Sequence, residues 1–345
     1  MRILIVTDAW TPQVNGVVRT LGAVKAELIA MGHQVSVISP DQFRSLPCPS
    51  YPEIRLAVTR PKTVGERIAA IAPEAVHLAT EGPLCLAARR WCLAKNVRFT
   101  TAYHTQFPEY VSRRTGLPTA AIWPYIRWFH RPAEWVMAST SSIRAELSAH
   151  GIERLAHWGR GVDLALFRPE NEPLDAMRNL PRPIQLYVGR VAVEKNVEAF
   201  LATEVPGTKV IVGDGPALAE LKQRYPDAVF LGFLEGDTLA AAFAGADVFV
   251  FPSRTDTFGL VLVEALASGT PVAAYPVTGP IDILTLEVGA MDEDLNLAIA
   301  RALTLDRRTC AAFAARFSWR ESARQFLSAL TPAQSHRQSF GAAYA

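Results

Sequence analysis

The chain has 345 residues, half of them hydrophobic, and a formal net charge of +2 at pH 7. That length suits two domains of roughly 100–200 residues each, the apolar half is enough for a sizeable core, and near-neutrality removes nucleic acid as a default partner. The four cysteines (Cys48, Cys85, Cys92 and Cys310) form no CxxC pair and stand beside no His cluster, which argues against a metal centre or disulfide framework and favours a reducing, cytoplasmic compartment.

The opening apolar run, Ile3–Val6, is too short for a signal peptide and reads instead as a buried parallel strand. A polar loop from Thr7 to Gly16 leads into a helix from Val17 to Met31, closed by Gly32. Strand candidates follow at Gln34–Ser39, Ala75–Leu78, Phe99–Tyr103 and Trp135–Ala138, with helical stretches between them, so the first half reads as a doubly wound α/β domain. The Pro-rich and charged stretch from Leu166 to Pro183 is expected to be a linker. The alternation then restarts, with strands at Ile184–Val188, Val210–Val212, Val229–Leu231, Val248–Phe251 and Val272–Ala274. Ser318 with Glu321 forms a capping box opening a last helix. No run of about 18 apolar residues is long enough to span a membrane.

Several motifs lie just beyond strand ends, where α/β sheets bind ligands. Asn15-Gly16 follows the first strand. Gly16 is either a plain turn residue or one that admits an anion to a helix N-terminus. Arg190 and Lys195 follow the strand at Ile184–Val188. They suit a diphosphate, Arg by its fork and Lys as a point charge, or else form a solvated pair with Glu194 as neighbour. Gly213-Asp214-Gly215 lacks the third glycine of a dinucleotide fingerprint, since Leu218 holds that place, so no nicotinamide cofactor is expected. The densest motif runs from Phe249 to Pro280 and contains Asp256, Thr257, Phe258, Gly259, Leu260 and Glu264. A helix starting near Phe258 would present free N–H groups to sugar hydroxyls or phosphate, with Glu264 placed to accept from vicinal ribose hydroxyls. A helix cap is the structural alternative for Asp256. His104, just after a strand, either binds a substrate oxygen or is tied to backbone. Asp292-Glu293-Asp294 mimics a metal-binding DxD pair but reads as a solvated helix start.

Residues Tyr110 to Trp135 interleave Tyr110, Trp123, Tyr125, Trp128, Phe129 and Trp135 with Arg113, Arg114, Arg127, His130 and Arg131. Between Cys85 and Arg131 eight basic side chains meet only Glu109. This composition suits an anionic membrane surface, or an ordinary helix with its aromatics in the core.

Taken together, Pro12–Val17, Tyr103–Tyr110, Arg160-Gly-Val-Asp163, Gly189–Asn196 and Pro252–Pro280 resemble the family 4 retaining glycosyltransferases, over Arg2 to about Leu330. The resemblance implies a GT-B fold: two Rossmann-like doubly wound domains facing a cleft, divided as 1–165 and 166–317, with the helix from about 318 to 345 crossing back. It implies that Gly16, Arg190 and Lys195 hold the donor diphosphate, Glu264 the ribose, and Asp256 with the Thr257–Leu260 backbone the transferred sugar. His104 would lie near the reacting carbon. Neither metal nor cofactor is required. Where the family usually carries Glu, this chain has Asp256. The N-terminal half is most similar to the branch acting on diacylglycerol-type lipids, which includes glucosyl, glucuronosyl, sulfoquinovosyl and mannosyl transferases. The expected function is transfer of a hexose from a UDP- or GDP-sugar to a membrane lipid by an enzyme resting on the inner face of the membrane. A soluble saccharide or polyol acceptor, and a non-catalytic nucleotide-sugar-binding protein, are the alternatives.

Overall fold

The structure is a computed structural model and describes residues 1–13, 15–48 and 51–333, the side chains at 51–54, 110, 113 and 114 excepted. The chain divides into two compact units, Met1–Gly159 with the segment from Trp319, and Arg160–Ser318. The division falls ahead of the Pro-rich stretch beginning at Leu166, which packs on the second unit's core through Leu166, Phe167 and Met177. The last helix spans Trp319–Ala329 and so stops short of the expected 345; residues 334–345 lie outside the described residues.

The first unit has strands β1 (Arg2–Val6), β2 (Gln34–Ile38), β3 (Ser45–Cys48), β4 (Tyr51–Ala57), β5 (Ala75–Leu78), β6 (Thr100–Tyr103), β7 (Val136–Ala138) and β8 (Leu155–His157). Six make a parallel sheet in the order β2-β1-β5-β6-β7-β8, and β3 and β4 form a separate antiparallel hairpin. The second unit has β9 (Ile184–Val188), β10 (Thr208–Val212), β11 (Val229–Gly232), β12 (Val248–Phe251), β13 (Val272–Ala274) and β14 (Gly289–Met291), all parallel, in the order β11-β10-β9-β12-β13-β14. Both orders reverse beside the first strand of the unit, which is the arrangement of a doubly wound fold.

Period-two alternation explains why these runs bury both faces. Leu186, Val188, Val210, Val212, Phe249 and Phe251 enter one apolar cluster, while Tyr187, Ile211, Val248 and Val250 enter another. In the first unit Leu4 and Val6 face one cluster and Ile3 and Ile5 the other. That second face is covered by Leu21, Val24 and Leu28 of the helix Gly16–Ala30 and by Ala323 and Phe326 of the last helix. Burying one such side chain stabilises by roughly 1.5–3 kcal/mol, which holds the last helix on this unit.

His77 of β5 lies in that contact, edge-on to Phe326 (4.9 Å) and Trp158 (5.7 Å), with Nδ1 2.9 Å from the Thr100 hydroxyl. Burial pushes its pKa from 6.5 down to about 3, so the folded unit keeps it neutral. The unfolded chain takes the proton near pH 6.5, so stability is full above that value and falls as pH drops towards about 3, by about 1.4 kcal/mol per pH unit. Denaturant titrations followed by tryptophan fluorescence should show this slope, and His77→Leu should flatten it; an unchanged slope would assign the acid sensitivity to another group.

Candidate active site

In the second unit the candidate residues leave the carboxyl ends of β9 and β12, the two strands flanking the reversal of strand order. The loop after β9 is braced from below. The Tyr187 hydroxyl donates to the Arg190 carbonyl at 2.8 Å, and the Val191 N–H to the Asp214 carbonyl at 2.8 Å. Burial, then the Asp256 charge, hold the Tyr187 hydroxyl well above its usual pKa, so it stays a neutral donor. Gly213 permits this bracing: a Cβ there would sit 1.9 Å from the Gly189 carbonyl oxygen. The Gly213-Asp214-Gly215 step thus serves close backbone packing.

A short turn, Val193–Lys195, then aims Lys195 at the loop after β12. Its Nζ donates to both Asp256 oxygens, at 2.7 and 2.8 Å. Asn196 ties the same loops together through the Pro252 carbonyl at 3.2 Å. Arg190 lies 3.8 Å from Glu194. Lys195 and Asp256 are each between a fifth and a quarter exposed, so their pair contributes at most about 1 kcal/mol to stability. Its larger effect is positional: the ammonium is fixed beside the loop that precedes the helix Leu260–Ala267.

That helix begins at Leu260, not near Phe258 as the sequence suggested, because Gly259 adopts φ +83° and breaks the backbone direction. The first-turn donors shift accordingly to Leu260 and Val261, since the Leu262 N–H already bonds to the Gly259 carbonyl at 3.0 Å. Phe258 offers a ligand only its backbone: its ring is buried in the core, edge-on to Phe317 at 6.1 Å. Gly279 presses on the same loop, with room for no more than a tight Cβ contact of 3.1 Å to the Phe258 carbonyl oxygen. Thr257 is half-buried. Glu264 is 3% exposed, on a helix whose neighbours Leu262, Val263, Ala265 and Leu266 are all core. Arg254, which the sequence did not single out, anchors the loop by stacking on Tyr275 (3.7 Å) and donating to Glu293 (2.8 Å). Asp294 caps the helix Leu295–Ala302 and Asp292 pairs with Arg301.

In the first unit Gly16 opens the helix Gly16–Ala30, but the Val17 and Val18 amides both donate to the Asn15 side chain at 3.0 Å. The anion-accepting amides expected there are therefore reduced to that of Gly16 itself. His104 follows β6, is 9% exposed, and stands edge-on to Trp158 at 5.1 Å. Trp158 is fixed by its indole N–H to Ser322 of the last helix at 3.1 Å. Asp8, after β1, accepts from Leu84 N (2.8 Å), Cys85 N (3.2 Å) and Thr80 Oγ1 (2.9 Å), capping the helix Pro83–Ala94. Burial raises its pKa against these bonds.

The aromatic and basic stretch divides by burial. Trp123, Phe129 and His130 are core residues, correcting their place in a membrane-facing set. His130 bonds Thr101 (2.8 Å) and Glu81 (3.2 Å), and the Tyr125 hydroxyl donates to the Glu81 carbonyl at 2.5 Å. The exposed face of the helix Thr119–His130 and its flanks instead carries Leu117, Pro124, Arg127, Trp128, Arg131 and Trp135. Arg89 lies over the Trp128 ring at 4.0 Å and donates to the Trp128 and Phe129 carbonyls, closing the helix end. The Tyr110, Arg113 and Arg114 side chains lie outside the described residues. Among the described residues no helix is long and apolar enough to cross a membrane.

Two doubly wound units, one with a cation and carboxylate pair at its switch point, are compatible with a nucleotide-sugar site, and comparison with known proteins identifies a glycosyltransferase. Residues 14–166 match the model of Glycosyltransferase Family 4 and residues 182–304 that of Glycosyl transferases group 1. A GDP-mannose-dependent alpha-mannosyltransferase of Mycolicibacterium smegmatis is 34% identical over 89% of this chain and 90% of its own. An alpha-monoglucosyldiacylglycerol synthase of Streptococcus pneumoniae is 27% identical over 80% and 71%. The sucrose-phosphate synthase structure from Thermosynechococcus elongatus has the same fold, with a TM-score of 0.76 at 22% identity, covering 95% of this chain and 97% of that one. The chain belongs to glycosyltransferase family 4.

If the pair at the switch point serves the donor, Lys195→Ala should lower kcat/KM for the nucleotide sugar about 100-fold. Asp256→Ala, which frees the ammonium without removing it, should cost about tenfold. Steady-state transfer assays on folded variants would check both; wild-type turnover in Lys195→Ala and Glu264→Ala would place the site elsewhere.

Proposed function

We propose that this enzyme transfers a hexose from a nucleoside diphosphate sugar to the hydroxyl of a diacylglycerol-type membrane lipid, with retention at the anomeric carbon. The observation that carries the donor half of this reading is the Lys195–Asp256 pair at the β9/β12 switch point, directly before the helix Leu260–Ala267. Arg190 and Lys195 bind the diphosphate and stabilise the charge that grows on it as it departs. Glu264 accepts from the ribose hydroxyls. The Gly259–Val261 amides and Asp256 hold the transferred sugar. The bond from the anomeric carbon to the phosphate oxygen breaks while the acceptor oxygen bonds to the same carbon on the same face. The acceptor's proton passes to the departing phosphate oxygen, so no side chain need become covalently attached.

The acceptor half is supported by the relative named for diacylglycerol and by the exposed Leu117, Trp128, Arg131 and Trp135, which suit the interface of an anionic bilayer. GDP-mannose is the first donor to test, because the 34%-identical relative is named for it; UDP-glucose, UDP-glucuronate and UDP-galactose complete the screen. Radiolabelled sugar should appear in the lipid phase with one donor. Absence of lipid-dependent transfer with every UDP- and GDP-sugar would refute the reading. Trp128→Ala should weaken flotation with anionic vesicles by about five- to tenfold; binding indifferent to lipid charge would favour a soluble acceptor.

A further inference from the structure

On the first unit, an open depression of about 400 Å³ lies between the helix Thr119–His130 and the end of the helix Ser141–Ala149. Its floor is a flat stack of His150 on Trp123, centroids 3.6 Å apart and planes 10° from parallel. Ala120, Pro124 and Ala149 form its walls, and Arg127 stands at its rim beside Gly151. A Cβ on Gly151 would lie 3.5 Å from Arg127 Nε, so the guanidinium lies along the backbone there. None of the roles assigned above uses this depression.

Resting on the membrane reading, we propose that this depression is a subsite for the headgroup of an anionic phospholipid, separate from the acceptor that receives the sugar. The chemistry of the lining is double. An apolar and aromatic wall suits glycerol and the first methylenes, whereas one exposed guanidinium suits a phosphate by two parallel hydrogen bonds. The surroundings favour an anion. Arg131 and Arg154 are exposed on the adjoining segments and linked by Arg154 Nη2 to the Arg131 carbonyl at 3.0 Å. Of the nearby acids, Glu134 is engaged by Arg98 at 3.0 Å, Glu146 is half-buried, and Glu153 alone is exposed. Trp128 is exposed on the same helix and Leu117 just before it, close in sequence to the residues that line the depression.

The test is co-sedimentation with vesicles of phosphatidylcholine containing phosphatidylglycerol, against vesicles of phosphatidylcholine alone. The variants are Arg127→Ala, Ala120→Glu at the exposed wall, and Lys62→Ala as a charge-matched change on another exposed helix of the same unit. Thermal melting checks that each is folded. Arg127→Ala should weaken binding to the anionic vesicles about five- to tenfold and Ala120→Glu more, while Lys62→Ala changes it less than about twofold. Inorganic phosphate at constant ionic strength should not compete. Wild-type protein that ignores anionic vesicles would overturn the subsite together with the membrane reading. Wild-type binding that Arg127→Ala and Ala120→Glu reduce no more than Lys62→Ala would overturn the subsite alone. Competition by inorganic phosphate would make the ligand a free anion and likewise overturn the proposal.

Discussion

The pairing of β9 with β12 is the contact on which the arrangement of the second unit's loops depends. The two strands are registered only at Gln185 with Val248 and Leu186 with Phe249, near their amino ends. Both continue beyond that point, to Val188 and Phe251, without further paired residues, and their chains then turn to opposite faces of the sheet. Strand reversal in a parallel sheet leaves a crevice at this place because the two crossover helices lie on different faces. Lys195 and Asp256 enter it from either side and bond across it. Side chains that are 61 positions apart in the chain therefore become one electrostatic unit.

This pairing gives Asp256 a physical reason to be an aspartate. A carboxylate that chelates an ammonium through both oxygens gains from a short side chain, which limits the number of rotamers to be frozen. Glutamate would reach further but with greater freedom. The pair fixes the direction of the Lys195 side chain, and the ammonium is still partly solvated, with the side chain 23% exposed. A diphosphate carries more negative charge than one carboxylate, so the donor can draw the ammonium towards itself. On the proposed donor assignment, Asp256 is then left to accept from a sugar hydroxyl.

Much of this architecture was legible in the sequence because it follows from period-two apolar runs. Ile184–Val188, Val248–Phe251 and Val272–Ala274 stand where their composition placed them. The strands β8 and β14 were not legible, since Leu155-Ala156-His157 and Gly289-Ala290-Met291 contain no β-branched residue, unlike the equally short strands opened by Val136 and Val272. The position of Gly259 was legible as a break but not its left-handed backbone, and that single dihedral decided which amides begin the helix. Composition also misjudged the aromatic stretch. Trp123 and Trp128 are alike as residues, yet five positions turn a helix through more than a full revolution, so one ring enters the core and the other meets solvent. Asp8 escaped notice for a different reason. Its partners Thr80, Leu84 and Cys85 are brought to it only by the pairing of β1 with β5.

The two regions of positive charge are prepared for different partners by their surroundings. Arg190 and Lys195 each have a carboxylate within 4 Å, supplied by Glu194 and Asp256, and lie on loops braced by backbone bonds. Cations held in that way occupy fixed positions, which suits a ligand whose charge must be met at particular atoms while a bond breaks. Arg127 and Arg131 are exposed on a helix face among Pro124, Trp128 and Leu117. Long exposed side chains of this kind can adapt to a surface whose phosphates are not at fixed spacing, while their apolar stems can lie along apolar neighbours. The cost of ordering a rotamer-rich side chain, up to about 2 kcal/mol, is met by the folded structure at the loops after β9 and β12, whereas at the exposed helix face any ligand would have to meet it. On the proposed function, rigid charge for the donor and mobile charge for a bilayer would be a division of labour that one chain, close to neutral in total, achieves by placing its acids beside the first set and largely away from the second.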